Sequence, residues 1–304
     1  MKKPLDSNKL GGIDLHIHST ASDGTCTPLE ILQIAADNGL RAISITDHDT
    51  LEGSRIAQSG PLPDHLHFIT GVEISTQAPE AFPVDGSLHI LGYGVDVNHG
   101  PLQQALVELQ HARDTRIPRI IERLNQAGVP IHMAQVLELV GDGSPGRPHI
   151  ARAMISMGAV NDVDEAFDRY LSKGRPAYVD KYRIECRLAL ELIRQAGGIP
   201  VLAHPYLVRG AASRELDSFI KQLCDLGLMG IEVFYPEHPP EAVSYYSDLA
   251  QRFDLLMTGG SDFHGELIPD IQLGRGHGDL HVPFSLFESL VSRLKMPLWG
   301  DDHG

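Results

Sequence analysis

Short apolar runs alternate with helix-period segments from Gly11 to about Val97. The runs are Ile13–Ile17, Ala42–Thr46, Phe68–Ile74 and Leu88–Val95. Runs of this length, bounded by turn residues, read as buried strands. The segment after the first run predicts a helix with defined ends. Thr27 is placed as its N-cap, Pro28 takes the first helical position and Glu30 completes a capping box. Leu29, Leu32 and Ala36 then share a face, and Gly39 suits the C-terminal cap. The alternation resumes after about Tyr182, with a helix over Ile184–Ala196 and runs at Ile199–Ala203, Gly230–Phe234 and Leu255–Thr258. Strands separated by helices predict βα units and a largely parallel sheet. Seven or so strands suit a barrel-like closure, with an open sheet as the alternative.

Residues 101–182 break this rhythm and read as mostly helical. The longest pattern is Leu102–Gln126, which Pro118 is expected to kink or divide. Glycine and proline punctuate 141–148 (GDGSPGRP) and 174–176 (GRP). The pattern therefore predicts an α/β fold in two parts, 11–100 and 183–298, with a helical cap inserted at 101–182.

Composition narrows the partners. The 304 residues are 42% hydrophobic and 21% charged, ordinary values for a globular protein. With 40 acidic residues against 25 Lys and Arg, the net charge is −15. That argues against coating long duplex nucleic acid, whose binders are basic. It leaves room for a small anionic substrate, because local charge can oppose net charge. The imbalance is not uniform: residues 101–182 hold ten basic and ten acidic residues, and the remainder fifteen and thirty. Cys26, Cys186 and Cys224 are far apart, with no disulfide framework and no CxxC pair. The opening MKKPLDSNKL lacks an apolar run, and no apolar stretch reaches about 18 residues. The expectation is a cytoplasmic protein without a membrane partner.

Sixteen histidines, about one residue in nineteen, change the picture most. They gather with acids at the predicted C-terminal ends of strands. The segments are Asp14-Leu15-His16-Ile17-His18 with Asp23, Thr46-Asp47-His48-Asp49, Gly71-Val72-Glu73, Ala203-His204-Pro205 and Ser261-Asp262-Phe263-His264. His89, in Leu88-His89-Ile90, is a sixth contributor. His16 and His18 point to one face of a strand, so both can bind one ion. Strand ends in parallel α/β folds converge on one site, and imidazoles with carboxylates there suit Zn, Mn or Fe.

The motifs HIHSTASDGTCTP, ITDHDT, GVEIS, AHP and GGSDFH, in this order, resemble those of the PHP (polymerase and histidinol phosphatase) superfamily. The resemblance covers about 11–97 and 183–264. Within that superfamily the chain is most similar to the capped phosphoesterases of nucleoside 3′,5′-bisphosphates and short oligonucleotides. It implies a distorted (β/α)7 barrel holding two or three divalent metals, Mn²⁺ first, with Zn²⁺ and Fe²⁺ as alternatives. Carried over by position, His16 and His18 hold a first metal with Glu73 and Asp262. Glu73 bridges to a second, bound by His89 and His204. Asp23, His48 and His264 complete a third site.

The implied chemistry is attack on phosphorus by a metal-activated hydroxide, with Glu73, Asp262 and His264 as the catalytic residues and His264 as the candidate proton donor. Asp14, Asp47 and Asp49 read either as carboxylates that orient metal-bound imidazoles or as turn and cap residues. Gly71, Gly259 and Gly260 read as close-approach or ordinary turn glycines. A second phosphate needs cations outside the metal cluster. Arg147, His149 and Arg175, in RPH and GRPAYV, are the candidates. Arg116, Arg119 and Arg123 read as a solvated face, with substrate contact as the alternative. The expected reaction removes the 3′-phosphate of a nucleoside 3′,5′-bisphosphate and trims short 5′-phosphorylated oligonucleotides 5′→3′. The alternatives are a phosphatase for another small metabolite and a non-catalytic, metal-stabilised nucleotide-binding module.

Overall fold

A computed structural model of the chain describes residues 11–80, 82, 88–139, 145–208 and 213–294. Within GDGSPGRP, 141–144 lie outside the described residues, as does the MKKPLDSNKL opening. The chain divides into two compact units, residues 1–106 with 184–304, and residues 107–183.

The larger unit is built on strands β1 (Ile13–Asp14), β2 (Ala42–Ile45), β3 (His67–Gln77), β4 (Leu88–Tyr93), β5 (Ile184–Glu185), β6 (Ile199–Leu202), β7 (Gly230–Phe234) and β8 (Leu256–Gly259). Hydrogen bonding orders them β1-β2-β3-β4-β6-β7-β8, with β5 pairing on β3 beside that path. The two ends of the path meet through backbone bonds. Leu15 N–H donates to Gly259 O at 3.1 Å, Asp262 N–H to His16 O at 2.8 Å and His18 N–H to Phe263 O at 2.9 Å. These contacts nearly close the sheet into the α/β barrel expected from the sequence.

The sheet is largely parallel, as expected, with one strand reversed. β4 runs antiparallel to both β3 and β6. No helix separates β3 from β4 among the described residues, and without a helical crossover a neighbouring strand returns in the opposite sense.

The helix α1 (Pro28–Asp37) begins as expected. Thr27 Oγ1 accepts from Glu30 N–H at 3.3 Å, and Glu30 Oε2 accepts from Thr27 N–H at 2.8 Å. Its buried face is set by Ile31, Leu32 and Ala35, however, and Leu29 is 44% exposed. The helix α2 (Glu52–Ser59) follows β2. Inside the sheet, Ile13, Leu15, Leu91, Tyr93 and Val201 form part of one buried cluster, and the Tyr93 hydroxyl donates to Leu15 O at 2.9 Å.

The helix α3 (Gly100–Gln126) runs through Pro118 without interruption, so the expected division does not occur. Proline forfeits one hydrogen bond, but Ile117, Ile120, Ile121 and Leu124 on either side are buried in the core of the smaller unit. That core also takes residues from α4 (Met133–Leu137), α5 (Arg147–Ser156) and α6 (Val163–Ala166), including Val136, Ile150, Met154 and Ala166. The boundary between the units falls inside α3, after Leu106. The larger unit is completed by α7 (Cys186–Gln195), α8 (Ser213–Leu226), α9 (Pro240–Arg252) and α10 (Phe284–Leu294). No described helix is long and apolar enough to cross a membrane.

Candidate metal centre

Glu73, in the middle of β3, is 1% exposed and stands at the centre of the histidines. Its Oε1 lies 2.8 Å from His89 Nδ1 and 3.0 Å from His204 Nε2. Its Oε2 lies 2.9 Å from His48 Nδ1, 3.2 Å from His18 Nε2 and 3.4 Å from His16 Nε2. Asp262 Oδ1 approaches His18 Nε2 at 3.1 Å and His16 Nε2 at 3.4 Å. Asp23 Oδ1 lies 3.6 Å from His18 Nδ1 and 3.5 Å from His264 Nε2, and its Oδ2 lies 3.9 Å from His48 Nε2. The residues singled out as ligands from the sequence thus converge in one place.

Strand ends explain much of the convergence, although Glu73 lies within β3. His16, His18, His48, His204, Asp262 and His264 follow the carboxyl ends of β1, β2, β6 and β8. His89 sits near the start of β4, opposite Ser75 of β3. Because β4 is antiparallel, its amino end lies where the other strands end.

Backbone conformation re-aims several of these side chains. Asp49, His204 and Asp262 hold φ of 56°, 26° and 55°, in the left-handed region that non-glycine residues avoid. Close approach also matters at Gly260, where a Cβ would stand 2.3 Å from His16 N. At Gly71 a Cβ would stand 2.2 Å from Ser44 Oγ.

The three aspartates beside the histidines accept from backbone N–H groups and serine hydroxyls. Asp14 accepts from the N–H of His16, Ser261 and Gly274 and from the Ser261 hydroxyl. Burial pushes its carboxyl up to about 6, although these donors work in the opposite direction. Asp47 accepts from Ser19 N–H, Ser19 Oγ and Ser22 Oγ, and Asp49 from Ser75 N–H and Oγ. A carboxylate also backs one of the clustered imidazoles: Glu232 on β7 lies 2.9 Å from His16 Nδ1. Sequence reasoning missed it. Its only signal was an acid in the apolar strand GIEVF.

The donor set fits cations. Burial pushes the His16 imidazole down, but Glu232, Asp262 and Glu73 outweigh it and hold it well above its ordinary range. His18 is likewise held at about 10 against burial by Asp262 and Glu73. Burial raises Glu73, yet His48, His89 and His16 bring it well below the usual carboxylate range. His89 is lowered to about 4, chiefly by burial. Buried carboxylates beside these imidazoles favour positive charge among them, the field that a bound cation would also meet. Several atoms here have no hydrogen-bond partner although buried, namely His16 Nε2, both ring nitrogens of His18, His48 Nδ1, Glu73 Oε2, His89 Nε2 and His204 Nδ1. Buried polar atoms ordinarily find partners, so this concentration is what a metal centre requires. The groups His18, Asp23, His48, His264 and His16, His18, Glu73 and His48, Glu73, His89 are each compact enough to hold an ion.

His264 cannot take both of its expected roles at once. Its Nδ1 lies 2.8 Å from Asp262 O and donates to it, leaving Nε2, the atom facing Asp23. A single nitrogen serves as ligand or as proton donor.

The candidate phosphate-binding residues lie in the smaller unit. Arg147 donates to Leu171 O at 3.2 Å, and its guanidinium lies 5.9 Å from the Tyr178 ring centre. His149 Nδ1 accepts Gly146 N–H at 3.1 Å and so caps α5. Arg175 is exposed. The unbroken α3 adds a further arginine to this group. Arg116 is half-buried and donates from Nε to Val179 O at 3.1 Å. Burial and the neighbouring Arg147 push its guanidinium down. Arg123 bonds to the adjacent Tyr178 O.

Comparison with known proteins agrees with this geometry. The PHP domain pattern matches residues 14–140. A 5′-3′ exoribonuclease of Haemophilus influenzae is 35% identical over 254 residues, covering 83% of this chain and 89% of the relative. A 3′,5′-nucleoside bisphosphate phosphatase of Chromobacterium violaceum is 31% identical, covering 84% and 88%. Among solved structures, a Bifidobacterium adolescentis protein described as a candidate metal-dependent phosphoesterase superposes with a TM-score of 0.70. It is 30% identical, with 94% of this chain and 96% of that one covered.

Proposed function

The chain belongs to the PHP family of phosphoesterases and is a hydrolase of phosphate esters; from that premise we propose that it removes the 3′-phosphate of nucleoside 3′,5′-bisphosphates and trims short 5′-phosphorylated oligonucleotides from the 5′ end. The observation that carries the reading is the cluster of unpartnered ring nitrogens around Glu73.

In this reading His16, His18, Glu73 and Asp262 hold one ion, and Glu73, His89 and His204 a second. Asp23, His48 and His264 hold a third where it is present. Divalent ions bound in this way supply Lewis acidity to the phosphoryl group and lower the pKa of water. Glu73 divides its two oxygens between the His89–His204 and His16–His18–His48 sides and so ties the two positions together. Asp262 is held by the Tyr235 hydroxyl, which donates to its Oδ2 at 3.0 Å and leaves Oδ1 toward His16 and His18. We assign His264 Nε2 to binding with Asp23 and His48 rather than to proton delivery.

Recognition of a second phosphate is assigned to Arg147 with Arg116, and to Arg175. Two neighbouring guanidiniums repel one another, and an anion between them relieves that repulsion while accepting charge-assisted hydrogen bonds. His149 is a weaker candidate, since its Nδ1 is already engaged.

The test is substrate profiling with Mn²⁺. Adenosine 3′,5′-bisphosphate is expected to exceed adenosine 3′-monophosphate in kcat/KM by roughly 10–100-fold, the worth of one or two charge-assisted hydrogen bonds. The products, identified by ³¹P NMR, should be inorganic phosphate and adenosine 5′-monophosphate. Equal turnover of the bisphosphate and simple phosphate monoesters would sink the nucleotide reading. It would favour another small metabolite.

A further inference from the structure

Glu232 is wholly buried on β7, yet it is outside the ligand set assigned above. Its two oxygens serve two different histidines. Oε1 lies 2.9 Å from His16 Nδ1, and Oε2 accepts the backbone N–H of His204 at 2.7 Å. The His16 and His204 rings stack with centroids 5.8 Å apart and meet different oxygens of Glu73. His16 Nε2 faces Glu73 Oε2 at 3.4 Å, and His204 Nε2 faces Glu73 Oε1 at 3.0 Å. From these contacts we infer that Glu232 is a positioning residue for both halves of the metal centre. It sets which nitrogen of His16 is free to bind an ion, and it pins the backbone that aims His204.

The first half of the argument is hydrogen-bond chemistry. A carboxylate oxygen accepts, so the contact at His16 is made by Nδ1–H. The remaining nitrogen, Nε2, is the one without a partner and the one turned toward Glu73 and Asp262. A carboxylate behind a ligating imidazole fixes the ring and makes it more basic. Asp14, two residues before His16, does not fill this role because its oxygens are taken by Ser261, Gly274 and the His16 backbone.

The second half is backbone strain. His204 holds φ of 26°, and its N–H ends on Glu232 Oε2. A non-glycine residue stays in that region only where its surroundings over-determine it. The short bond to Glu232 is such a constraint, and it acts on the residue whose ring reaches Glu73.

Glu232→Gln tests both halves, because an amide has one accepting atom where the carboxylate has two. If its oxygen takes His204 N–H, its NH₂ meets His16 Nδ1 and drives the proton to Nε2. If its oxygen takes His16, its NH₂ opposes His204 N–H. Either arrangement weakens the centre.

The inference rests on the reading that these histidines hold metal, and the experiment separates the two. Zn²⁺, which is diamagnetic, is titrated into the full-length chain against a competing chelator. Long-range ¹H–¹⁵N spectra then report each histidine ring, with His16 assigned from a His16→Gln variant. The wild type is expected to bind Zn²⁺ and to show an exchange-protected Nδ1–H on a His16 ring bound through Nε2. Glu232→Gln is expected to keep a wild-type circular dichroism spectrum, bind Zn²⁺ roughly 10–100-fold more weakly and lose that proton signal. Unchanged affinity in Glu232→Gln with zinc bound by the wild type overturns the positioning role alone. A wild type that binds no zinc overturns the metal reading beneath it. Should Glu232→Gln fail to fold, the wild-type spectrum decides: His16 bound through Nδ1 overturns the inference, and His16 bound through Nε2 supports it.

Discussion

At the scale of single residues, the site is organised by one carboxylate shared among imidazoles. Glu73 is flanked by His16, His18, His48, His89 and His204. Replacing it by Gln removes the central charge while keeping the shape. Glu73→Gln is expected to lose metal and to reduce kcat/KM by more than the roughly 10–100-fold typical of an outer-shell partner, measured by metal analysis and steady-state rates. Arg147→Ala should act differently. It is expected to raise KM for the bisphosphate by roughly 10–100-fold, the loss of about 1.5–3 kcal/mol of charged hydrogen bonding, and to leave turnover of a simple monoester unchanged. Cys186 offers a pH test away from the site. Burial pushes its thiol up to about 12 from an ordinary value of 9.0. Below pH 9 both folded and unfolded chains hold the proton; as pH rises from about 9 toward 12 only the unfolded chain releases it, so the fold loses stability. At pH 8 a thiol reagent should leave Cys186 unmodified in the native protein and label it after denaturation, as counted by mass spectrometry. The histidines and acids that converge around Glu73 were legible in sequence because chemistry of this kind is written in residue type and spacing. Glu232 was not, because nothing local distinguishes an acid that meets His16 from across the barrel.

At the scale of elements, local signals were read well and packing phase was not. Thr27, Pro28 and Glu30 mark the start of α1 through bonds made within one turn. Thr27→Ala is expected to destabilise the protein by about 1 kcal/mol, measured by chemical denaturation. Which face of α1 is buried depends on the neighbours it packs against, and Ile31 and Ala35 rather than Leu29 and Ala36 meet them. Strand direction shows the same division. Residues 88–93 look like any other apolar strand, yet β4 runs antiparallel because of how the chain returns from β3. Pro118 stays within α3 because burial on both sides of it outweighs one lost hydrogen bond. That continuity places Arg116 and Arg123 together against the Tyr178–Val179 backbone.

At the scale of the whole molecule, a net charge of −15 is concentrated outside residues 101–182, and buried acids of the metal centre belong to that excess. Bound cations would offset it locally, so removing them should cost stability as well as activity. Dialysis against a chelator is expected to abolish phosphate release and lower the melting temperature. Mn²⁺ at 100 times its dissociation constant should restore both, adding about 2.7 kcal/mol by mass action. Unchanged melting with full recovery of activity would show that the ions do not support the fold. By itself, the sequence determined the alternation of strands and helices, the capping of α1 and the set of histidines and acids that meet, because each is carried by short-range pattern or by residue chemistry. Tertiary structure alone decided the direction of β4, the buried face of α1, the clamping roles of Asp14, Asp47 and Asp49, and the place of Glu232 behind His16. Those features depend on atoms brought together from distant parts of the chain, and a contact of that kind leaves no periodicity for the chain to display.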